Sequence, residues 1–214
     1  MSRSASPSLT PRKSPIQARS SVTVEAILQA AVQVLIKDGK TRLTTTRVAA
    51  RAGVSVGTLY QYFPNKIALL QAALRRHLEE VAGAVERVCQ EQRGKPLEEM
   101  TVALIDAYFA AKMRDPQTSA ALYAVGSDVD GWKIAQQTGR RVNKEVVTLI
   151  ATAPEPLRKD PEIVASMLQS MLNGVSRKLL ESPAPERHFH ALRQELVFLA
   201  RTYIGACVAA AAPR

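Results

Sequence analysis

Aromatic residues make up only 5% of this 214-residue chain. Runs of Val, Ile and Thr alternating with polar residues at period two are missing as well. Alanine and leucine dominate the apolar set, which favours helix over strand, so an all-α chain is expected. There are two cysteines, Cys89 and Cys207. They are far apart and form no C-x-x-C pair, which points to reduced, semi-buried thiols in a cytosolic protein. There are three histidines, His77, His188 and His190, and none has a recognisable partner motif. His188 and His190 are two apart on an expected helix and point to different faces, so no metal pair is expected. "DVDG" at 128–131 lacks the remaining ligands of a calcium loop, and no cofactor signature is visible. The longest uncharged apolar candidate, "TYIGACVAAAA", is far short of the ~20 residues that span a bilayer. The N-terminus lacks a continuous apolar segment of the secretory kind. A cytoplasmic protein with no membrane partner is the expectation.

What is present is basic charge, unevenly spread. The formal net charge is +10. Residues 1–66 carry ten Lys/Arg against Glu25 and Asp38, a net of +8, whereas residues 67–214 carry nineteen against seventeen, a net of +2. That asymmetry suggests a module addressed to a polyanion, with a near-neutral body behind it.

Residues 1–19 are Ser-, Pro- and Arg-rich and read as a disordered basic arm. Its side-chain charges are Arg3, Arg12, Lys13 and Arg19. Residues 20–66 read as a basic, polyanion-directed helical module, and 67–214 as a larger helical body. Ile27, Leu28, Ala31, Val34 and Leu35 mark one face of a first helix, which Gly39 can end as a left-handed cap. Thr44 can cap a second helix and Gly53 close it. Ser55 can cap a third, very short helix ending before Pro64, and Asn65 a fourth. Further helices are expected at about 97–114, 117–126, 129–152, 161–181 and 185–210.

The stretch "VAARAGVSVGTLYQYFPNK", residues 48–66, contains G-V-S-V-G. It matches the G-x-S-x-G of a hydrolase nucleophile elbow, with Ser55 as nucleophile. An elbow needs a buried strand before the serine and a full helix after it. Upstream stands "TTRVAARA", a helical pattern with two arginines, and the helix after Ser55 is too short. No enzyme is expected. A helix-turn-helix fits instead. Ala49 provides the small residue where two helices cross, Gly53 the turn, and Val54 and Leu59 the inward face. Ser55 caps the recognition helix, and its exposed amides suit a phosphate.

"LTTTRVAARAGVSVGTLYQYFPNKIALL", residues 43–70, resembles the DNA-binding domain of the tetracycline-repressor (TetR) family, with "GTLYxYFxNK" as the specific string. The resemblance covers residues 22–75, and the rest matches in length and helical pattern. It implies a bacterial, all-α homodimer with a three-helix DNA-binding domain over residues 20–66 and a larger helical ligand-binding and dimerisation domain over 67–214. It also implies a near-palindromic DNA operator and a repressor released from it by a small molecule in a body cavity. By resemblance, Thr45 and Arg47 touch phosphates, and Ser55, Val56, Gly57 and Thr58 form the exposed start of the recognition helix. Thr58 is offered to a base edge or phosphate and Val56 to a thymine methyl. Tyr62 contacts a phosphate, Tyr60 either does so or packs inward with Phe63, and Lys66 meets a phosphate. Val56 stands where many relatives are basic or polar, and Ile67 where many are acidic.

For the cavity wall the bulky or soft candidates are Tyr108, Phe109, Met113, Tyr123, Trp132, Met167 and Met171. The near-neutral, Ala-, Leu- and Met-rich body suggests an apolar effector. For the dimer, Met167, Leu168, Met171, Leu172 and Val175 line one stripe of the penultimate helix. Leu192, Leu196, Leu199, Tyr203 and Val208 are apolar on the last, and Gly174 permits a close crossing. A DNA-binding protein of the same fold without an inducer is the alternative, and the distinguishing feature is a ligand-sized cavity.

Overall fold

Local capping chemistry decides where the short helices begin and end. In the computed structural model, which describes residues 15–208, α1 covers Pro15–Arg42, α2 Thr45–Ala52, α3 Val56–Tyr62 and α4 Lys66–Glu91. The Thr44 side chain accepts from the Arg47 amide, and Ser55 accepts from the Thr58 amide. Asn65 Oδ1 accepts from the Ala68 amide at 2.8 Å. Each bond satisfies a donor that a helix start leaves open. Gly53 closes α2 at φ 69, ψ 29, the left-handed conformation glycine adopts without cost.

The chain divides after Leu69 into a head and a body. The head's core is Ile27, Leu28, Ala31, Val34, Leu35, Leu43, Val48, Ala49, Leu59, Phe63 and Leu69, all buried. Ala49 is 1% exposed, as the contact point of two crossing helices requires. Ser20–Arg42 is, among the described residues, the one helix long and apolar enough to cross a membrane. Its apolar stripe, Ile27, Leu28, Ala31, Val34 and Leu35, belongs to the head's core. The expected cap at Gly39 is corrected. This glycine lies at φ 76, ψ 167, outside the left-handed helical region of the expected cap, and interrupts α1, so that two helical runs meet there at a kink. The described helix begins at Pro15, so the last five residues of the segment read as a disordered arm are helical. Arg3, Arg12 and Lys13 lie outside the described residues, as does the side chain of Arg19.

The body is built from α4 beyond Leu70, α5 (Leu97–Met113), α6 (Pro116–Val125), α7 (Gly131–Ile150), α8 (Pro161–Leu180) and α9 (Pro185–Cys207). Asp115 caps α6 and Asp160 caps α8, each followed by a proline in the first turn. A 3-10 turn at Gly126–Val129 leads into Asp130, at φ 52. At the following Gly131 a Cβ would lie 2.6 Å from Leu74 Cδ2 and 2.7 Å from the Gly126 carbonyl oxygen, so no larger residue fits there. The core joins Val85, Met100, Leu104, Phe109, Leu149, Val164, Leu196 and Ala200, among others. Arg141 bonds Glu79 and Glu86, tying α7 to α4, and Arg193 pairs with Asp106, tying α9 to α5. Both cysteines are free and buried. Burial, aided by Glu145 and Glu86, pushes the Cys89 thiol up to about 12.

The expected dimer stripes are partly core. Leu168 and Leu196 are buried, and Met171 and Leu172 face inward to line a cavity. The exposed apolar residues are Ile163 and Met167 on α8 and Phe198 and Leu199 on α9. On α8 the true outer stripe is therefore displaced from the sequence-based one and continues through Ser170 and Gly174, both exposed.

His77 shares a hydrogen bond with Ser119 Oγ at 3.2 Å, and that hydroxyl donates to the Lys112 carbonyl. Burial lowers the imidazole from 6.5 to about 4, with the Lys112 ammonium acting in the same direction and Asp115 opposing. The unfolded chain thus takes up a proton that the folded body refuses between those values. Stability therefore falls as pH drops from about 6.5 to about 4, by up to about 3 kcal/mol from this group. Urea unfolding at several pH values checks this: His77→Gln should flatten that part of the profile.

Candidate DNA-reading surface and ligand cavity

On the head, the residues expected to meet DNA are placed by α2, α3 and the start of α4. The Thr45 hydroxyl and the Tyr60 hydroxyl share a hydrogen bond at 3.1 Å, joining the first residue of α2 to the middle of α3. Tyr60 is 48% exposed. Of its two expected placements, inward packing with Phe63 is therefore corrected: Phe63 alone is in the core. Tyr62 is half-buried. Arg47 Nη1 pairs with Asp38 at 3.0 Å, which fixes the guanidinium at the α1–α2 edge. Lys66 Nζ donates to the Lys40 carbonyl at 3.2 Å, so its ammonium lies beside the α1 terminus.

Ser55 is bound twice to Thr58, by the amide at 3.0 Å and by the hydroxyl at 2.8 Å. Its oxygen acts as a cap, and the segment before it is the helix α2, where a nucleophile elbow would need a strand. Val56 and Thr58 are half-buried and Gly57 is exposed. A Cβ on Gly57 would meet only Ser55 Oγ, at 3.7 Å, so the fold itself does not demand glycine there.

The body contains a cavity of about 330 Å³ walled by α4 to α9. That volume falls at the small end of ligand sites. Of the expected wall residues, Tyr108, Tyr123 and Met171 line it. The others do not. Phe109 is core, stacked edge-on against Tyr108 and Phe189, and Met113 packs against the core. Met167 lies on the outer face of α8. Trp132 is 61% exposed, with Lys133 Nζ 5.6 Å above its ring. It occupies the first turn of α7, where a bulky side chain escapes into solvent.

Sequence reasoning missed the polar part of the wall: Lys112, Asn143, Gln169, Asn173 and Ser176. Tyr108 Oη donates to Asn173 Oδ1 at 3.0 Å, and Gln169 Nε2 donates to the Gly139 carbonyl at 3.0 Å. Asn143 Oδ1 is buried without a partner. Burial depresses the Lys112 ammonium from 10.5 to about 8. The signal was available in the spacing: Lys112 continues the Ile105–Tyr108 stripe of α5 at i+7 and i+4, where a surface lysine has no reason to be. Among the described residues, no group of three or more His, Cys, Asp or Glu side chains is placed to hold a metal.

The profile of the bacterial regulatory proteins of the tetR family matches residues 27–73. That of the tetracyclin repressor-like C-terminal domain matches residues 96–204, half of the chain. The HTH-type transcriptional repressor KstR of Rhodococcus jostii (strain RHA1) is 36% identical over 102 residues, 45% of this chain and 43% of that protein. The match thus spans less than half of that relative's length. A TetR-family transcriptional regulator from Mesorhizobium loti has the same fold, with a TM-score of 0.73 at 17% identity over 89% of this chain and 99% of that one. So does SmeT, the repressor of the Stenotrophomonas maltophilia multidrug efflux pump SmeDEF. Its TM-score is 0.67 at 22% identity over 88% of this chain and 93% of that one. With both the helix-turn-helix head and the body matched, the chain belongs to the tetracycline-repressor (TetR) family of DNA-binding transcriptional regulators.

Proposed function

We propose that this protein is a cytoplasmic, homodimeric repressor that leaves a near-palindromic operator when a small, largely apolar molecule fills the body cavity. The observation that carries this reading is the double membership of α4. The same helix bears Lys66, beside the reading surface, and Leu78, Val81, Ala82 and Val85, on the cavity wall. A ligand that prefers one position of those four side chains biases the position of Lys66. A coupling of ~1–3 kcal/mol is enough to change DNA affinity roughly 5–150-fold. The cavity also favours an inducible repressor over a DNA binder of this fold that answers to no ligand.

In the dimer, the exposed Ile163 and Met167 of α8 and Phe198 and Leu199 of α9 meet their counterparts in a second copy. Gly174, where a Cβ would touch nothing within 4 Å, leaves room for a close crossing. The two recognition helices then enter successive major grooves, about 34–36 Å apart. Thr45, Arg47, Ser55, Tyr60, Tyr62 and Lys66 address phosphates, while Val56, Gly57 and Thr58 approach base edges.

The experiment is operator titration over a range of salt, with and without candidate apolar ligands. Affinity should fall steeply with salt, since phosphate neutralisation releases counterions. Lys66→Ala should weaken operator and random DNA alike. Thr58→Ala should cost on the order of 1 kcal/mol more on the operator. A salt-independent affinity, or equal losses for both variants on both DNAs, speaks against this reading.

Gly57→Ala separates fold from function. Alanine raises helix propensity by up to ~1 kcal/mol and meets no obstacle in the protein, so the melting temperature should hold or rise. The added methyl should nevertheless weaken operator binding, as gel-shift titration would show. Phe198→Glu should place a charge in the proposed dimer seam and yield monomers by sedimentation. Operator affinity should be lost while the helical circular dichroism is kept.

A further inference from the structure

The wall of the cavity is not uniform. On α5 the lining residues run from Thr101 and Leu104 to Tyr108 and, one turn further, Lys112. The Tyr108–Asn173 hydrogen bond sets the C-terminal half of α5 beside that of α8, where Ser176 also lines the wall. Tyr108, Lys112, Asn173 and Ser176 thus lie toward one end of these two helices, with Thr101 and Gln169 further along the wall. Val85, Val146, Ala165 and Ala200 supply apolar wall.

Lys112 is the unusual member. Among the described residues no carboxylate oxygen lies within 4.0 Å of its ammonium, and its nearest recorded partner is the Tyr108 ring, 6.0 Å to the centroid. Nearby carboxylates are engaged elsewhere. Asp115 caps α6, accepting from both the amide and the hydroxyl of Thr118. Glu80 holds Arg76 and Arg114. His77 is held neutral by burial near pH 7. Arg177, which also borders the cavity, is paired with Glu181 at the surface. At neutral pH Lys112 is therefore mainly an ammonium in an apolar wall, without a counter-charge. Lys112 is half-buried; a charge drawn partly out of water without a partner carries a cost, and an anion brought by a ligand relieves it.

We propose that the effector is an amphipathic monocarboxylic acid, with its carboxylate on the Lys112 ammonium and its apolar chain along the Val85, Val146 and Ala165 wall. This rests on the ligand-release reading above and names the chemistry of that same cavity. A single charge matches a single free ammonium. A polyanion would bury charges with no partner, and an amine would meet Lys112 with like sign. A neutral alcohol would leave the ammonium unpaired.

The test uses the full chain and calorimetric titration with octanoate, dodecanoate and hexadecanoate, against dodecan-1-ol and dodecylamine. At least one acid should bind about tenfold or more tightly than the alcohol, the advantage expected of a charge-assisted hydrogen bond, and the amine should bind weakest. Lys112→Met should abolish the preference for acid while keeping alcohol affinity within about threefold. Lys112→Arg should retain the preference. Lys112→Met should also bind operator normally without ligand and melt no lower than the parent, since it removes an unpaired, half-buried charge. Should it fail to fold, the acid-to-alcohol ratio of the parent protein decides alone. Equal affinity for acid and alcohol, a preference that survives Lys112→Met, or no binding by any acid overturns the proposal. Operator titration in parallel separates the two readings. If the alcohol releases DNA as well as the acids do, the carboxylate assignment fails and the ligand-release reading stands. If an acid bound through Lys112 leaves DNA binding unchanged, the carboxylate assignment stands and the ligand-release reading fails.

Discussion

The recognition helix has seven residues, too few to persist alone in water. It exists because the chain on both sides of it is fixed. Gly53 turns at positive φ, the Val54 amide donates back to the Ala49 carbonyl at 3.0 Å, and Ser55 closes the first turn through Thr58. Leu59 and Phe63 then anchor the helix in the head's core. Every side chain of α3 proposed to meet DNA inherits its position from that turn. The Thr45–Tyr60 hydrogen bond adds a second tie across the exposed face, so the surface is ordered before DNA arrives. Such preorganisation lowers the entropy lost on binding.

The body is governed by the opposite condition. Its helices are tied at the rim by Arg141 with Glu79 and Glu86, and by Arg193 with Asp106. These are partly exposed pairs, individually worth little, and they set register more than stability. Inside, the helices leave a cavity rather than closing on one another. Leu168, Leu196 and Ala200 belong both to the core and to the cavity wall, so packing that stabilises the body and packing that would hold the proposed ligand use the same side chains.

The helix order and nearly every boundary were legible in the sequence because caps, prolines and glycines act within a few residues. Thr44, Ser55, Asn65, Asp115 and Pro161 each announce a helix start by local chemistry. Gly39 shows where that legibility ends. A glycine there signalled positive φ, but ψ follows from how Leu43 docks into the core, which is a tertiary matter. The cavity wall was less legible for the same kind of reason. Tyr108 and Phe109 are neighbours of similar size, and only packing decides that one lines the cavity and the other fills the core. Trp132 was drawn toward the cavity by its bulk, yet the turn before Gly131 directs it outward. The more informative signals were polar residues on apolar stripes, Lys112 and Asn143, and a search for large apolar side chains passes over them.

Head and body therefore differ in where their polar groups are left. In the head, the capping oxygens of Thr44, Ser55 and Asn65 are all engaged within the chain. In the body, the Asn143 oxygen and the Lys112 ammonium are drawn into a low-dielectric wall without partners. An unmatched group costs most where water is excluded, and among the described residues the buried side-chain oxygen without a partner, Asn143 Oδ1, lies in the body. A ligand that relieves such a cost gains binding energy without any rearrangement. That gain is uniform, however, and a ligand that binds two conformations equally shifts neither. Release from DNA requires a further difference, a cavity shape that fits the ligand better in one conformation than in the other. The four α4 side chains on the wall are the part of the cavity continuous in the chain with Lys66. On the proposed reading, the charge at Lys112 would select which molecules bind, while the fit against Leu78, Val81, Ala82 and Val85 would decide whether binding has any consequence for DNA.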